Sequence, residues 1–367
     1  MWKYAVTGLF ILFNSFIIVT QIDLQDIIYN TFFYKGNNNS NIIQIKSLRQ
    51  QRLKRNAPFR NIEEITKMSK ELNTYSYMIL HNNSVISEHY FKSYIDDSKL
   101  ESFSITKSIV SLMVGIALDK KYLSSIEDKI GKYFPECTMS NTSIKNLLEM
   151  SSGVKLYSLS GFFTSLVDFY SSNLTKRAFS RKPVFESGKY WVYDNINTQL
   201  IVLVLEKATK MKINVFVENY LWKYISTTEA QWSTDDSGNV KAFCGLQMTS
   251  EDLLRIGKLI MDKGKVNGYQ VVSESYLQMI FNVNTNLCIL SDIKQHNKNY
   301  GLHAWKSKIN DTTIKYFFGS GGQFLLLIEE WNTVVVHMGF DVLISGPDDI
   351  DHILQKVVEV THKTLLD

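Results

Sequence analysis

The stretch Ser102-Phe103-Ser104-Ile105-Thr106-Lys107 opens an apolar helix, and the remaining chemistry of the chain is legible as a set of partners for Ser104 and Lys107. Downstream, Ile105, Ile109, Leu112, Met113, Ile116 and Ala117 fall at the spacing of a helix that buries one face, so a helix starts at or just before Ser104. Residues three apart share a side of a helix, which makes the Ser104 hydroxyl and the Lys107 amine neighbours. A serine hydroxyl needs a base to take its proton. A lysine can be that base when burial or cationic neighbours favour its neutral amine. The first helical turn adds free N–H groups and the positive end of the helix dipole, which stabilise a developing oxyanion. Two further copies of the pattern, Ser152 to Lys155 and Ser291 to Lys294, open no comparable helix. By itself so short a pattern also fits a structural coincidence.

Composition narrows the alternatives. A chain of 367 residues holds one large domain or two smaller ones, and 45% hydrophobic residues supply a substantial core. The net charge of +4 is too small at this length to argue for nucleic acid. Cys137, Cys244 and Cys288 form no CxxC pair, so neither a disulfide framework nor a zinc site is expected. There is no G-x-S-x-G elbow, H-E-x-x-H or Gly-rich nucleotide loop, and no metal or organic cofactor is expected. His303 and His337 lie in apolar surroundings and read as packed residues rather than ligands.

Tyr4 to Thr20 is almost wholly apolar and follows Lys3. Its length reaches the lower limit for a bilayer span, and no small-residue cleavage site follows it. The first reading is a membrane anchor formed by an N-terminal hydrophobic helix, with a cleaved signal and a buried helix as alternatives. The catalytic part would then be membrane-anchored or exported, on the extracytoplasmic side. The basic run from Lys46 to Arg60 suits either anionic headgroups or a solvated linker. The expected organisation is therefore an anchor or signal over 1–22, a linker over 23–72 and a globular domain over 73–367.

Within that domain, Tyr75 to Leu80 and Val85 to Phe91 read as a β-hairpin turning at 81–84. Helical runs follow over 144–150, 197–210, 215–224 and 250–261, with a short one over 276–281. The segment 154–181, rich in Ser, Phe and Tyr, reads as loops or short helices lining a pocket. Two β runs, 323–329 and 333–338, precede a terminal helix over 348–366. The order suits an α+β fold, an antiparallel sheet flanked by helices plus a mostly helical subdomain.

Further segments carry a family resemblance. Ile144 to Gly153 resembles the helix-and-turn block of the serine β-lactamase and penicillin-binding-protein superfamily. Tyr193-Asp194-Asn195 has the form of its Tyr-x-Asn motif, and Gly319-Ser320-Gly321-Gly322-Gln323 before an apolar strand looks like its third motif. Phe243 to Leu253 and Tyr300 to Trp305 look like blocks of the class C-related serine hydrolases, and the branch similar to 6-aminohexanoate-dimer hydrolase is nearest. The resemblance implies a β-lactamase/transpeptidase-like fold from about Thr74 onward. It further implies Ser104 as acylated nucleophile, Lys107 as base and Tyr193 as proton relay. Asn195 would bond Lys107 or the substrate carbonyl, and the backbone N–H groups of Ser104 and of Gln323, after Gly322, would form the oxyanion hole. The bland readings are a core aromatic at Tyr193, a helix cap at Asn195 and a strand-entry turn at Gly321-Gly322. Ser320 stands where many members carry Lys or His. That departure argues against β-lactam or D-Ala-D-Ala recognition and favours a small-molecule or peptide-like amide or ester substrate. A D-Ala-D-Ala peptidase, an esterase and a non-catalytic binder that keeps the fold are the alternatives.

Overall fold

The computed structural model describes residues 41–56, 58–59, 62–154, 167–289, 299–340 and 347–367. The apolar segment 4–20 lies outside them, and no helix among the described residues is long and apolar enough to cross a membrane. Fourteen strands are described: β1 (Ile42–Ile45), β2 (Thr74–His81), β3 (Ser84–Tyr90), β4 (Leu100–Glu101), β5 (Tyr190–Trp191), β6 (Ala230–Ser233), β7 (Leu246–Met248), β8 (Lys265–Val266), β9 (Tyr269–Gln270), β10 (Cys288–Ile289), β11 (Trp305–Ile309), β12 (Thr312–Gly319), β13 (Gln323–Ile328) and β14 (Thr333–Gly339). The main helices are α1 (Ile62–Glu71), α2 (Ile105–Asp119), α3 (Ile144–Leu148), α4 (Leu174–Ser180), α5 (Asn195–Thr209), α6 (Ile213–Val217), α7 (Ser250–Met261), α8 (Glu274–Ile280) and α9 (Pro347–Leu366).

The six-stranded sheet runs β11-β12-β13-β14-β2-β3, antiparallel throughout. The hairpin read over 75–91 is β2–β3, and its turn residues Asn82 and Asn83 both take positive φ, as a two-residue primed turn requires. Asn tolerates that region better than most side chains. Strand alternation sorts the core into two layers. Tyr77, Ile79, Phe324, Leu326, Ile328 and Val335 face α1 and α9, while Met78, Leu80, Leu325, Leu327, Val334 and Val336 face the helical half. There α7 lies across β2, β13 and β14. It comes so close that a Cβ on Gly257 would sit 2.3 Å from Val334 Cγ1. Thr249 caps α7 by accepting from the Asp252 N–H.

Three expectations change. The helix after Ser104 is not amphipathic, because every residue from Ile105 to Ala117 is buried. Its polar side chains are small and satisfied within the core: Ser108 Oγ donates to the His303 carbonyl at 2.5 Å and Ser111 Oγ to that of Leu302 at 2.8 Å. The folded body also takes in part of the stretch read as linker. β1 pairs with β6 in a four-stranded sheet of order β1-β6-β7-β4, and α1 packs on β2 and α9. The basic run belongs to this strap, since Arg55 bonds Glu88 at 2.6 Å and Glu251 at 2.7 Å while Arg52 pairs with Asp96 and Asp97. Finally, Asn195 is the first residue of α5 rather than its cap. Asp194 fills that position, its carboxylate accepting from the Ile196 N–H at 2.8 Å.

Candidate active site

Ser104 ends the turn that leaves β4 and caps α2, with φ −69° and ψ −7°. Lys107 is one turn on and buried, and its Nζ donates to Ser104 Oγ at 2.7 Å and to the Phe243 carbonyl at 2.9 Å. Two partners at these lengths fix the amine against the hydroxyl. The Tyr193 ring stands over it, with Nζ 4.9 Å from the ring centroid. Tyr193 itself is half-buried among Trp191 and Tyr300, and its hydroxyl makes no hydrogen bond among the described residues. Ser104, Lys107 and Tyr193 therefore meet at one place.

The other expected residues divide. Asn195 is half-buried beside this cluster in sequence, but Lys107 bonds Ser104 and Phe243 rather than Asn195. The 319–323 segment forms the tight connection between β12 and β13. A Cβ on Gly319 would lie 2.5 Å from the Ser102 carbonyl and 3.1 Å from Phe103 Cβ, so this strand end touches the turn that presents Ser104. Gly321 and Gly322 then take φ +82° and +96°, conformations that glycine adopts without strain. The Ser320 side chain is exposed. Gln323 is buried, and its side-chain amide donates to the carbonyls of Gly339 and Ser320 and accepts from the Gly339 N–H. The Gln323 side chain thus locks the turn to β14. Nearby, His337 Nδ1–H donates to the Gly322 carbonyl at 2.7 Å, which leaves Nε2 to accept from Thr74. Burial pushes His337 down to about 4, so it is a neutral structural residue, as its apolar setting suggested.

Further polar groups pack around the Lys107 site. His303 is buried between the Tyr300 hydroxyl, 3.2 Å from Nδ1, and Thr198 Oγ1, 3.0 Å from Nε2. Burial, with the Lys107 charge adding to it, pushes His303 down to about 3. It stays neutral beside the Lys107 amine. Burial and then Tyr193 raise the Tyr300 phenol well above its ordinary value. On the other side, Glu101 is buried on β4 and accepts from the Phe103 and Gly245 amides at 2.9 and 2.8 Å. Burial raises its carboxyl to about 7 against the effect of these hydrogen bonds. Glu101 and the Phe243 carbonyl went unnoticed in the sequence. The carbonyl has no residue signature, although the block that carries it, Phe243 to Leu253, was singled out. Among the described residues no group of His, Cys, Asp and Glu is placed to hold a metal ion.

Residues 60–280, more than half of the chain, match the family described as Beta-lactamase. The 6-aminohexanoate-dimer hydrolase of Paenarthrobacter ureafaciens is 21% identical over 236 residues, which cover 60% of each protein. The chain thus spans about 60% of the length of this curated relative. A candidate 6-aminohexanoate-dimer hydrolase from Bacillus anthracis superposes with a TM-score of 0.74 at 17% identity, covering 92% of this chain and 94% of that one. The octameric penicillin-binding protein homologue from Pyrococcus abyssi gives 0.63 at 15% identity, covering 82% and 76%. At such identities the solved structures establish the shared fold.

Proposed function

The chain belongs to the beta-lactamase family, and from that premise we propose that it is a serine hydrolase that cleaves an amide or ester through an acyl-enzyme on Ser104. The observation that carries this reading is the 2.7 Å contact between Lys107 Nζ and Ser104 Oγ at the head of a buried helix.

In acylation the Lys107 amine takes the Ser104 proton as Oγ bonds to the substrate carbonyl carbon. The Phe243 carbonyl holds the resulting ammonium. The tetrahedral oxyanion faces the Ser104 N–H and an N–H of the 320–323 connection, which Gly319 brings against the Ser102-Phe103 turn. Collapse breaks the C–N or C–O bond, and the leaving group receives a proton from Tyr193, which recovers it from Lys107. Water then attacks the ester with the same groups in reverse roles. The curated relative is named for hydrolysis of a 6-aminohexanoate dimer, and two amino acids condense through an amide, so a small amide is the first substrate class to try. Ser320 offers no cation for a substrate carboxylate at the position where, by the motif resemblance, many members carry Lys or His.

Stopped-flow hydrolysis of p-nitrophenyl butyrate tests the reading, with Ser104→Ala as control. The expected record is a Ser104-dependent burst of about one equivalent of nitrophenol followed by slower turnover. Hydrolysis that survives Ser104→Ala contradicts it. A benzylpenicillin adduct on Ser104 would move the substrate class to peptidoglycan-like amides and leave the mechanism standing.

A further inference from the structure

The 102–104 turn is an unfavourable piece of backbone. Phe103 takes φ +44°, a left-handed region that a bulky L-residue enters only under strain. It is held there from two sides. Its ring stacks on Phe340 with centroids 5.7 Å apart, and its N–H donates to Glu101 Oε1. The same oxygen accepts the N–H of Gly245, two residues beyond the Phe243 carbonyl that anchors Lys107. Ser102 also bonds this neighbour through the Leu246 carbonyl, but that contact reaches neither the amide before the nucleophile nor the 243–245 loop. Gln247, opposite Glu101 across the β4–β7 pairing, adds a side-chain hydrogen bond to the carboxyl. The charged or titratable groups that face this corner are Lys241, Lys107, Cys244 and Asp168.

We propose that Glu101 is the positioning residue of the site: one carboxyl oxygen draws the amide before the nucleophile and the amide beyond the base's anchor to a single point, and so sets the Ser104–Lys107 pair. This rests on the serine hydrolase reading for its consequence but not for its geometry. Without the Glu101 carboxyl the strained Phe103 would lose a support and let Ser104 turn, and the 243–245 loop, still tied by the Ser233 N–H to the Gly245 carbonyl and by Trp232 Nε1–H to the Cys244 carbonyl, would lose its link to the nucleophile turn. Misplacement on the scale of 1 Å costs about a hundredfold in rate.

The test compares Glu101→Gln, which keeps an oxygen at the same reach, with Glu101→Asp, which keeps the charge but is one methylene too short for both amides. Two quantities are read on the full chain: hydrogen exchange at the Phe103 and Gly245 amides, and the rate at which a fluorophosphonate labels Ser104. Gln should keep both amides protected and label within about threefold of wild type, whereas Asp should expose at least one amide and label at least about tenfold more slowly. Adding Phe103→Gly to the Asp variant should restore most of that loss, because glycine takes φ +44° unaided. Melting temperatures identify any variant that has lost its fold, and Glu101→Gln alone then decides through its two amides. Protected amides and wild-type labelling in Glu101→Asp overturn the proposal. A wild-type chain that resists labelling contradicts the hydrolase reading instead, and amide exchange still judges the clamp.

Discussion

The two faces of the six-stranded sheet bury apolar side chains to a similar depth but treat charge in opposite ways. Between the sheet, α1 and α9 the interior is Tyr77, Ile79, Phe324, Leu326, Val335 and their neighbours, with Tyr77 and Thr361 bonding at 2.7 Å. Across the sheet the helical half encloses Glu101, Lys107, Asp168, Asp194, Lys241 and Glu251, all nearly inaccessible. Several of these are paired, as in Arg181 to Asp194 at 2.5 Å and Arg177 to Asp168. Burying an ion costs several kcal/mol even after relaxation, and apolar replacements are often as stable. One face is therefore built for stability, and the other gives stability up around Ser104.

The sharpest way to break this contrast is to remove the proposed base. Lys107→Met should lower acylation by about a thousandfold or more while leaving the melting temperature unchanged or higher, measured by burst kinetics and calorimetry. A large drop in stability with activity kept would invert the comparison. Phe324→Ala, on the apolar face, should do the reverse. A loss of about 3–5 kcal/mol in denaturant unfolding is expected, with turnover per folded molecule unchanged. Tyr193→Phe removes only the hydroxyl proposed as proton relay, so kcat should fall by about a hundredfold with little change in stability.

The mildest effect concerns pH. Glu101 titrates near 7 in the fold against about 4.5 unfolded, so the unfolded chain ionises first as pH rises. Stability is then fullest below about pH 4.5 and declines until the buried carboxyl also ionises near 7. Glu101→Gln should match wild type at low pH and exceed it above neutrality by at most about 3 kcal/mol, read from urea midpoints. An advantage that is flat with pH would show that the carboxyl does not carry the charge.

The same contrast explains what the sequence disclosed. The sheet announces itself in continuous apolar runs: 323–328 and 333–339 are rich in Leu and Val and buried along their whole length, and the β2–β3 hairpin carries its Asn-Asn turn. Ser104 and Lys107 were legible because three residues on a helix guarantee adjacency whatever the rest of the chain does. Tyr193 was legible only through its motif. β11 and β12 were missed because Lys306, Lys308 and Lys315 interrupt the pattern near an open sheet edge. β1 was missed because its partner β6 lies almost 190 residues away, beyond local pattern. Arg52 and Arg55 read as solvated for the same reason, since Asp96, Glu88 and Glu251 are remote in sequence. The cap of α5 was misread by one residue because Asp194 and Asn195 are equally good capping types.

The most direct measurement is to treat the folded protein with a fluorophosphonate, digest it, and locate the adduct by tandem mass spectrometry. One modified residue, Ser104, is expected, with loss of labelling in Lys107→Met. An adduct on any other serine, or none on a folded chain, would contradict it.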